Sequence, residues 1–314
     1  MSLPPGLNDL AKLTLLASDA SYFDDEHLAP LNLGFLRDTS YGDDAHYSVP
    51  AGFTKAIEFH DTTTTGFGFI AYVKNGATPA ETEVIIALRG TDGSNPTDWV
   101  ANSQSLGWNQ WNQQGRAQVF TFLDGLKPDA DTAFQGKVHF TGQSLGGGLA
   151  QYAAYEYVRD RVGAVGFAGF SKADVTLTTF NGFGGVLGLE QNAGGYQSSV
   201  LADIGSNAHF YTEGDLVSRL GSLNGVGHTG GTAYFLNAHA SQIDPDTGEP
   251  FLLNFVDAHR IETGFYPFLA PGVEFEAAVA RPIDYLPMQN VQQIAALYGR
   301  IANDQDVSPL ESTP

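Results

Sequence analysis

Thirty-five acidic residues against fifteen basic ones give this 314-residue chain a formal charge of −20, which excludes a protein built to grip phosphate backbones or anionic lipid headgroups. With 42% hydrophobic and 12% aromatic residues but only 16% charged ones, it has ample apolar material for a large core and does not read as disordered. The absence of cysteine removes disulfides, thiol catalysis and thiolate metal sites.

In chain order, residues 7–20 (LNDLAKLTLLASDA) are rich in good helix formers and predict an opening helix. GFGFIAYV (66–73) predicts a strand, followed by the turn signal Asn75-Gly76 and then TEVIIALRGT. The short β-branched core of that second run, Val84–Leu88, suits a strand covered on both faces. A helix is expected over 116–126, a strand over 137–141 (KVHFT) and a helix over Leu145–Val162. DVTLTTF (174–180) and AHFYT (208–212) predict further strands, and the Gly-, Gln-, Asn- and Ser-rich stretch 181–206 between them reads as a surface excursion. Strands alternating with helices imply a largely parallel α/β sheet.

No internal repeat or interdomain linker is visible. Residues 1–314 are therefore expected to form one domain, with the Pro-containing, weakly patterned stretch 269–314 as a peripheral extension. Asp9, Lys12 and Asp19 interrupt the N-terminal region, which does not read as a signal peptide, and no apolar run reaches the length of a membrane span. A soluble protein is expected, secreted in preference to cytoplasmic.

Gly142-Gln143-Ser144-Leu145-Gly146 fits G-x-S-x-G between a predicted strand and a predicted helix. A turn sharp enough to expose the serine hydroxyl crowds the positions two before and two after it, hence the two glycines. The serine also sits at a helix N-terminus, where backbone N–H groups and the helix dipole favour a developing oxyanion. The competing reading is a glycine-rich helix cap without chemistry; the strand before and the helix after favour a nucleophile. One oxyanion donor is then the backbone N–H of Leu145. The other should come from the loop after an earlier core strand, which ALRGTDGSNPTDWVANSQ (87–104) supplies.

VIIALRGTDGSNPTDWVAN, VHFTGQSLGGGLAQYAA, TLTTFNGFGG, HFYTEGDLVSRL and FVDAHR follow one another over residues 84–260. Together they resemble the class 3 (fungal-type) lipase family of the α/β-hydrolase superfamily. Arg-Gly-Thr before an Asp-Trp pair, joined to Gly-x-Ser-Leu-Gly-Gly, is more specific than G-x-S-x-G alone; Gln143 stands where the family commonly has His. The resemblance implies an α/β-hydrolase fold, a mostly parallel central sheet flanked by helices. It also implies that Thr91 supplies an oxyanion donor.

Eight histidines compete for the role of base. The α/β-hydrolase chain order of serine, acid, histidine removes His27, His46, His60 and His139, and His209 lies inside a strand-like run before the best acid. The family places its histidine late, in a segment resembling VDAHR, which favours His259. His228, in GVGHTGGTAYFL, resembles the segment before a hairpin and is the second choice; His239 has no supporting motif. For the acid, Asp215 follows the predicted strand AHFYT, at the C-terminal end where catalytic groups of open α/β sheets collect. EGDLVSRL also resembles the family's acid-bearing step. Asp203 is the fallback, and Glu213 is expected to point elsewhere.

Trp99, Trp108 and Trp111 follow the oxyanion step, where the family carries its lid. All three are expected to form a lid or substrate rim: Trp108 and Trp111 lie among Gln and Asn (GWNQWNQQG), a setting that reads as exposed, and a buried core position is the competing reading for Trp99. NGFGGVLGLE (181–190) is similar to a dinucleotide fingerprint, but Leu187 stands where the third glycine belongs. DPDTGE (244–249) offers calcium-like oxygens, but position 12 of an EF-hand loop would be Phe255. No cofactor, metal or nucleic-acid partner is expected. The expected function is hydrolysis of carboxylic esters by a Ser144–His259–Asp215 triad, first of all triacylglycerol hydrolysis at a lipid–water interface. The alternatives are a small-ester or feruloyl-type esterase, a phospholipase of the same family, and a catalytically inactive hydrolase-fold binding module.

Overall fold

A computed structural model describes residues 6–20, 52–61, 64–90, 106–212, 215, 217–222, 226–236, 265, 279–283 and 285. Among the described residues, its centre is a sheet of eight strands that lie side by side in sequence order. They are β1 (Thr54–His60), β2 (Gly68–Lys74), β3 (Glu83–Leu88), β4 (Lys137–Gln143), β5 (Val175–Phe180), β6 (Ser206–Thr212), β7 (Thr232–Leu236) and β8 (Val279–Ala280). β1, β2 and β3 are antiparallel neighbours, β3 to β7 run parallel, and β8 closes the far edge antiparallel to β7.

Helix α1 (Leu7–Ala20) covers one face of the sheet. The other face carries α2 (residues 108–124), α3 (Leu145–Arg161) and α4 (Val186–Asn192). Side-chain alternation along β3 shows why two covers are needed. Val84, Ile86 and Leu88 join a core with Leu149, Ala153 and Tyr157 of α3, while Ile85 and Ala87 pack with Ala17 of α1. Helix α3 is buried on nearly every side, which accounts for its Gly, Ala and Tyr composition and its lack of a polar face.

On the α1 face the parallel register aligns Phe180 with Phe210 and Phe210 with Tyr234. Their rings stack at 5.7 Å and 5.3 Å between centroids, and Phe265 meets Phe180 edge-on at 5.3 Å. This ladder ties the C-terminal ends of β5, β6 and β7 into one slab under Leu7, Ala11 and Leu15 of α1.

The opening helix, the strands in 66–73, 84–88, 137–141, 174–180 and 208–212, and the long helix after Ser144 are found as expected. The link from β2 to β3 is longer than a two-residue hairpin turn and includes a 3₁₀ turn at Pro79–Glu81. The helix expected over 116–126 begins earlier, at Trp108, and passes through a π-helical turn at Trp111–Gly115. The stretch 181–206 is not wholly a surface excursion, because residues 181–189 are buried. Part of 269–314 is also stitched to the sheet: β8 pairs with β7 and Ile283 is buried.

Phe210 is the middle rung of the aromatic ladder, so Phe210→Ala should cost about 3–5 kcal/mol. Urea unfolding should show a lower midpoint with an unchanged slope; a midpoint within error of the parent would mean that the stack contributes little.

Candidate active site

Strand β4 ends at Gln143 and α3 begins at Leu145, so one residue makes the whole turn. Ser144 makes it at φ 58° and ψ −128°, a region that L-residues occupy only under strain. The neighbouring glycines are required by contact. A Cβ on Gly142 would overlap the Gly146 carbonyl group, and one on Gly146 would overlap the Leu88 carbonyl oxygen. A Cβ on Gly147 would stand 2.7 Å from the Gly182 Cα, so a third stretch of backbone also presses on the turn. The Ser144 N–H donates to the Phe180 carbonyl at 3.1 Å, and its carbonyl accepts from the Gly147 N–H at 3.0 Å. Ser144 is thus fixed from both sides at the C-terminal edge of the sheet.

Leu145 opens the first turn of α3, where N–H groups have no acceptor within the helix. Gly90, two residues beyond β3, runs against that turn, since a Cβ on Gly146 would lie 3.0 Å from the Gly90 nitrogen. The chain after β3 therefore passes beside the helix N-terminus at Gly90. Thr91 itself lies outside the described residues.

Asp215 follows β6, its N–H donating to the Thr212 carbonyl at 3.3 Å. Its carboxylate is buried and accepts the backbone N–H groups of Val217 at 3.2 Å and Ser218 at 2.9 Å. Only β5 lies between the strand that leads to Ser144 and the strand that leads to Asp215. Two strand spacings are about 10 Å, a gap suited to an imidazole with a hydrogen bond on each side. The fallback Asp203 is exposed and precedes β6, at the opposite edge of the sheet from Ser144.

Among the described histidines, His209 and His228 are buried side by side, with ring centroids 4.3 Å apart. The Gly182 carbonyl faces Nε2 of His228 at 3.0 Å and can only accept, so that nitrogen carries the proton. Nδ1 of His228 then accepts the Tyr285 hydroxyl proton at 2.6 Å. His209 is satisfied in the same way, with Nε2 toward the Gly230 carbonyl at 3.0 Å and Nδ1 accepting from Thr179 Oγ1 at 2.8 Å. Burial pushes His228 down to about 4, against the opposing pull of the Gly182 carbonyl and the Asp215 charge. Burial, reinforced by neighbouring His228, also holds His209 well below the usual histidine value. A cavity of about 470 Å³ beside this pair is lined by His228, His209 and Tyr285 but by neither Ser144 nor Asp215. His239 and His259 lie outside the described residues.

No protein-family model and no curated protein sequence matches the chain. Among solved structures, a fungal lipase in complex with an inhibitor aligns with a TM-score of 0.50 at 17% identity, covering 76% of this chain and 84% of that one. The fold is that of the α/β-hydrolases. Two further structures align at lower scores. The mono- and diacylglycerol lipase of Aspergillus oryzae gives 0.49 at 19% identity, covering 90% of this chain and 99% of that one. The triacylglyceride lipase of Rhizomucor miehei gives 0.47 at 17% identity, covering 75% of this chain and 82% of that one.

Within this α/β-hydrolase fold, Trp108 and Trp111 do not form an exposed rim. Both are buried in α2, where Trp111 donates its indole N–H to the Glu156 carboxylate at 2.7 Å and Trp108 meets Tyr152 edge-on. Trp99 lies outside the described residues. Two buried amides behind the elbow escaped the sequence reading. Gln151 donates to the carbonyls of Gly147 and Phe183 and accepts the N–H groups of Gly185 and Thr229, joining α3 to two loops. Asn181, at φ 45°, bridges to Thr212. An Asn-Gly pair after a strand was the available signal for such a left-handed position. Among the described residues, no cluster of His, Asp or Glu could hold a metal, and no helix is long and apolar enough to cross a membrane.

The enclosed histidine pair sets a pH dependence. Both groups bind protons less readily in the folded chain than at the ordinary value of 6.5, so between about pH 6.5 and 4 the unfolded chain holds more protons. Stability should fall as pH drops through that window, by up to about 1.4 kcal/mol per pH unit for each histidine, and be insensitive to them above it. Thermal melts across this range should show the slope and His228→Gln should reduce it; an unchanged slope in the variant would rule His228 out.

Proposed function

We propose that this chain is a serine hydrolase of the class 3 lipase type that cleaves carboxylic esters, a triacylglycerol lipase in the first instance, through an acyl-enzyme on Ser144. The observation that carries the reading is the backbone of Ser144. A non-glycine residue at φ 58° and ψ −128°, clamped by contacts that only glycines permit, holds strain that a simple helix cap would not need. The buried Asp215 two strands away, at the same edge of the sheet, supports its role as the orienting acid. His259 is preferred as the base, because both ring nitrogens of His228 are engaged by Tyr285 and Gly182.

In this mechanism His259 accepts the Ser144 Oγ proton as Oγ attacks the ester carbonyl carbon. The backbone N–H groups of Leu145 and Thr91 hold the oxyanion, and Asp215 keeps the imidazole in its tautomer and stabilises the imidazolium. Collapse breaks the ester C–O bond, and the alcohol leaves with the proton from His259. Water then attacks the acyl-enzyme with His259 again as base, releasing the acid and restoring Ser144. Trp99 is retained as a lid residue. The fold neighbour described as a model for interfacial activation suits a lipid–water interface as the working surface.

Incubation with p-nitrophenyl esters of graded chain length and with a serine-directed phosphonate tests the proposal. Turnover and a label on Ser144 are expected, and Ser144→Ala should abolish both. His259→Ala should lose about ten-thousand-fold or more in kcat, while His228→Ala keeps most of its turnover per folded molecule. Absence of turnover and label in the parent chain would favour an inactive binding module. Preference for long chains with activation at an emulsion marks a lipase, whereas preference for short or aromatic acyl groups marks an esterase.

A further inference from the structure

We infer that Asn181 is a positioning residue that sets the distance between the nucleophile and its acid. The inference rests on the Ser144–Asp215 reading and deepens it. Ser144 and Asp215 follow strands that do not touch, and the strand between those two stops short of both residues. The ladder of β5 ends at Phe180, whose carbonyl takes the Ser144 N–H and which pairs in register with Phe210 of β6. At Asn181 the backbone turns to φ 45° and leaves the sheet, so that Gly182 can press against Gly147 of the elbow helix.

That departure would strip Thr212, the last residue of β6, of the neighbour that its N–H faces. The Asn181 side chain replaces the missing peptide group. Its Oδ1 accepts the Thr212 N–H at 2.9 Å and its Nδ2 donates to Thr212 Oγ1 at 3.1 Å, while the Asn181 backbone N–H still reaches the Phe210 carbonyl at 2.9 Å. All of this is fully buried. Thr212 in turn accepts the Asp215 N–H at 3.3 Å. A continuous path of short contacts therefore runs from Ser144 through Phe180, Asn181 and Thr212 to Asp215. Asparagine suits the position for two reasons: it tolerates a left-handed backbone better than other side-chain-bearing residues, and its amide copies the donor and acceptor of a peptide unit. Glycine would satisfy the first need alone.

The test is Asn181→Gly, which keeps the backbone angle and removes the bridge, with Asn181→Ser, too short to reach the Thr212 N–H, as a second variant. Each is assayed on a p-nitrophenyl ester after titration of Ser144 with a phosphonate, so that misfolded molecules drop out of the rate. Expected are a kcat per titrated site lowered about 10- to 100-fold, a KM changed little, and an acid limb of the kcat/KM profile moved to lower pH. The direction of that last shift follows because a carboxylate nearby raises a histidine's affinity for its proton, and a displaced Asp215 does so less. A merely structural role would lower the titratable fraction and the melting temperature but leave the per-site rate and the acid limb in place, and that result would overturn the inference. A parent chain with neither turnover nor label would instead refute the underlying nucleophile reading, so the two failures are distinguishable.

Discussion

The contact between the Gly146 Cα and the Leu88 carbonyl oxygen leaves no room for a methyl group, and the rest of the candidate site depends on that closeness. It brings the end of β3, the turn after β4 and the start of α3 within backbone distance of one another. A helix seated this near a sheet edge aims its first N–H groups at the space beside Ser144 instead of into solvent. The strained serine, of order 1–3 kcal/mol by general experience, persists because the nearly all-buried α3 cannot back away.

Close backbone packing creates a second demand, which buried amides meet. Where strands stop pairing and loops dive under a helix, peptide groups lose their ladder partners while remaining out of reach of water. Gln151 satisfies three of them with one side chain, the Phe183 carbonyl and the N–H groups of Gly185 and Thr229, and Asn181 satisfies the last N–H of β6. Both residues behave as pieces of backbone supplied by side chains. This explains why both are fully buried, Asn181 in a stretch whose composition resembles a surface loop.

That composition also marks the boundary of what the sequence could disclose. The glycine spacing around Ser144, the β-branched strand before Arg89 and the Ala-rich helix after the serine are local signals with local causes, and each is found where expected. Trp111 misled because its flanking Gln and Asn look solvated, whereas its partner, Glu156, is 45 residues away and Gln110 bonds the Thr65 carbonyl. The stretch 181–189 misled for the same reason, its polar and glycine residues answering to α3 and to the Thr229 loop, not to water. β1 escaped notice because it is a half-exposed edge strand without a continuous apolar run. Non-local pairing, which no window of sequence contains, accounts for these misses.

The sheet keeps its strands in the order in which they are synthesised, and each new strand docks against the one before. A chain emerging from a ribosome can therefore lengthen the sheet stepwise from β1, without leaving a gap to be filled later. The candidate site is completed on the same schedule. The elbow forms with α3 but gains the Phe180 carbonyl that holds Ser144 only with β5, and Asp215 arrives only after β6. During assembly Ser144 is set before Asp215 exists, so under the proposed mechanism an incomplete chain carries the nucleophile without its orienting acid.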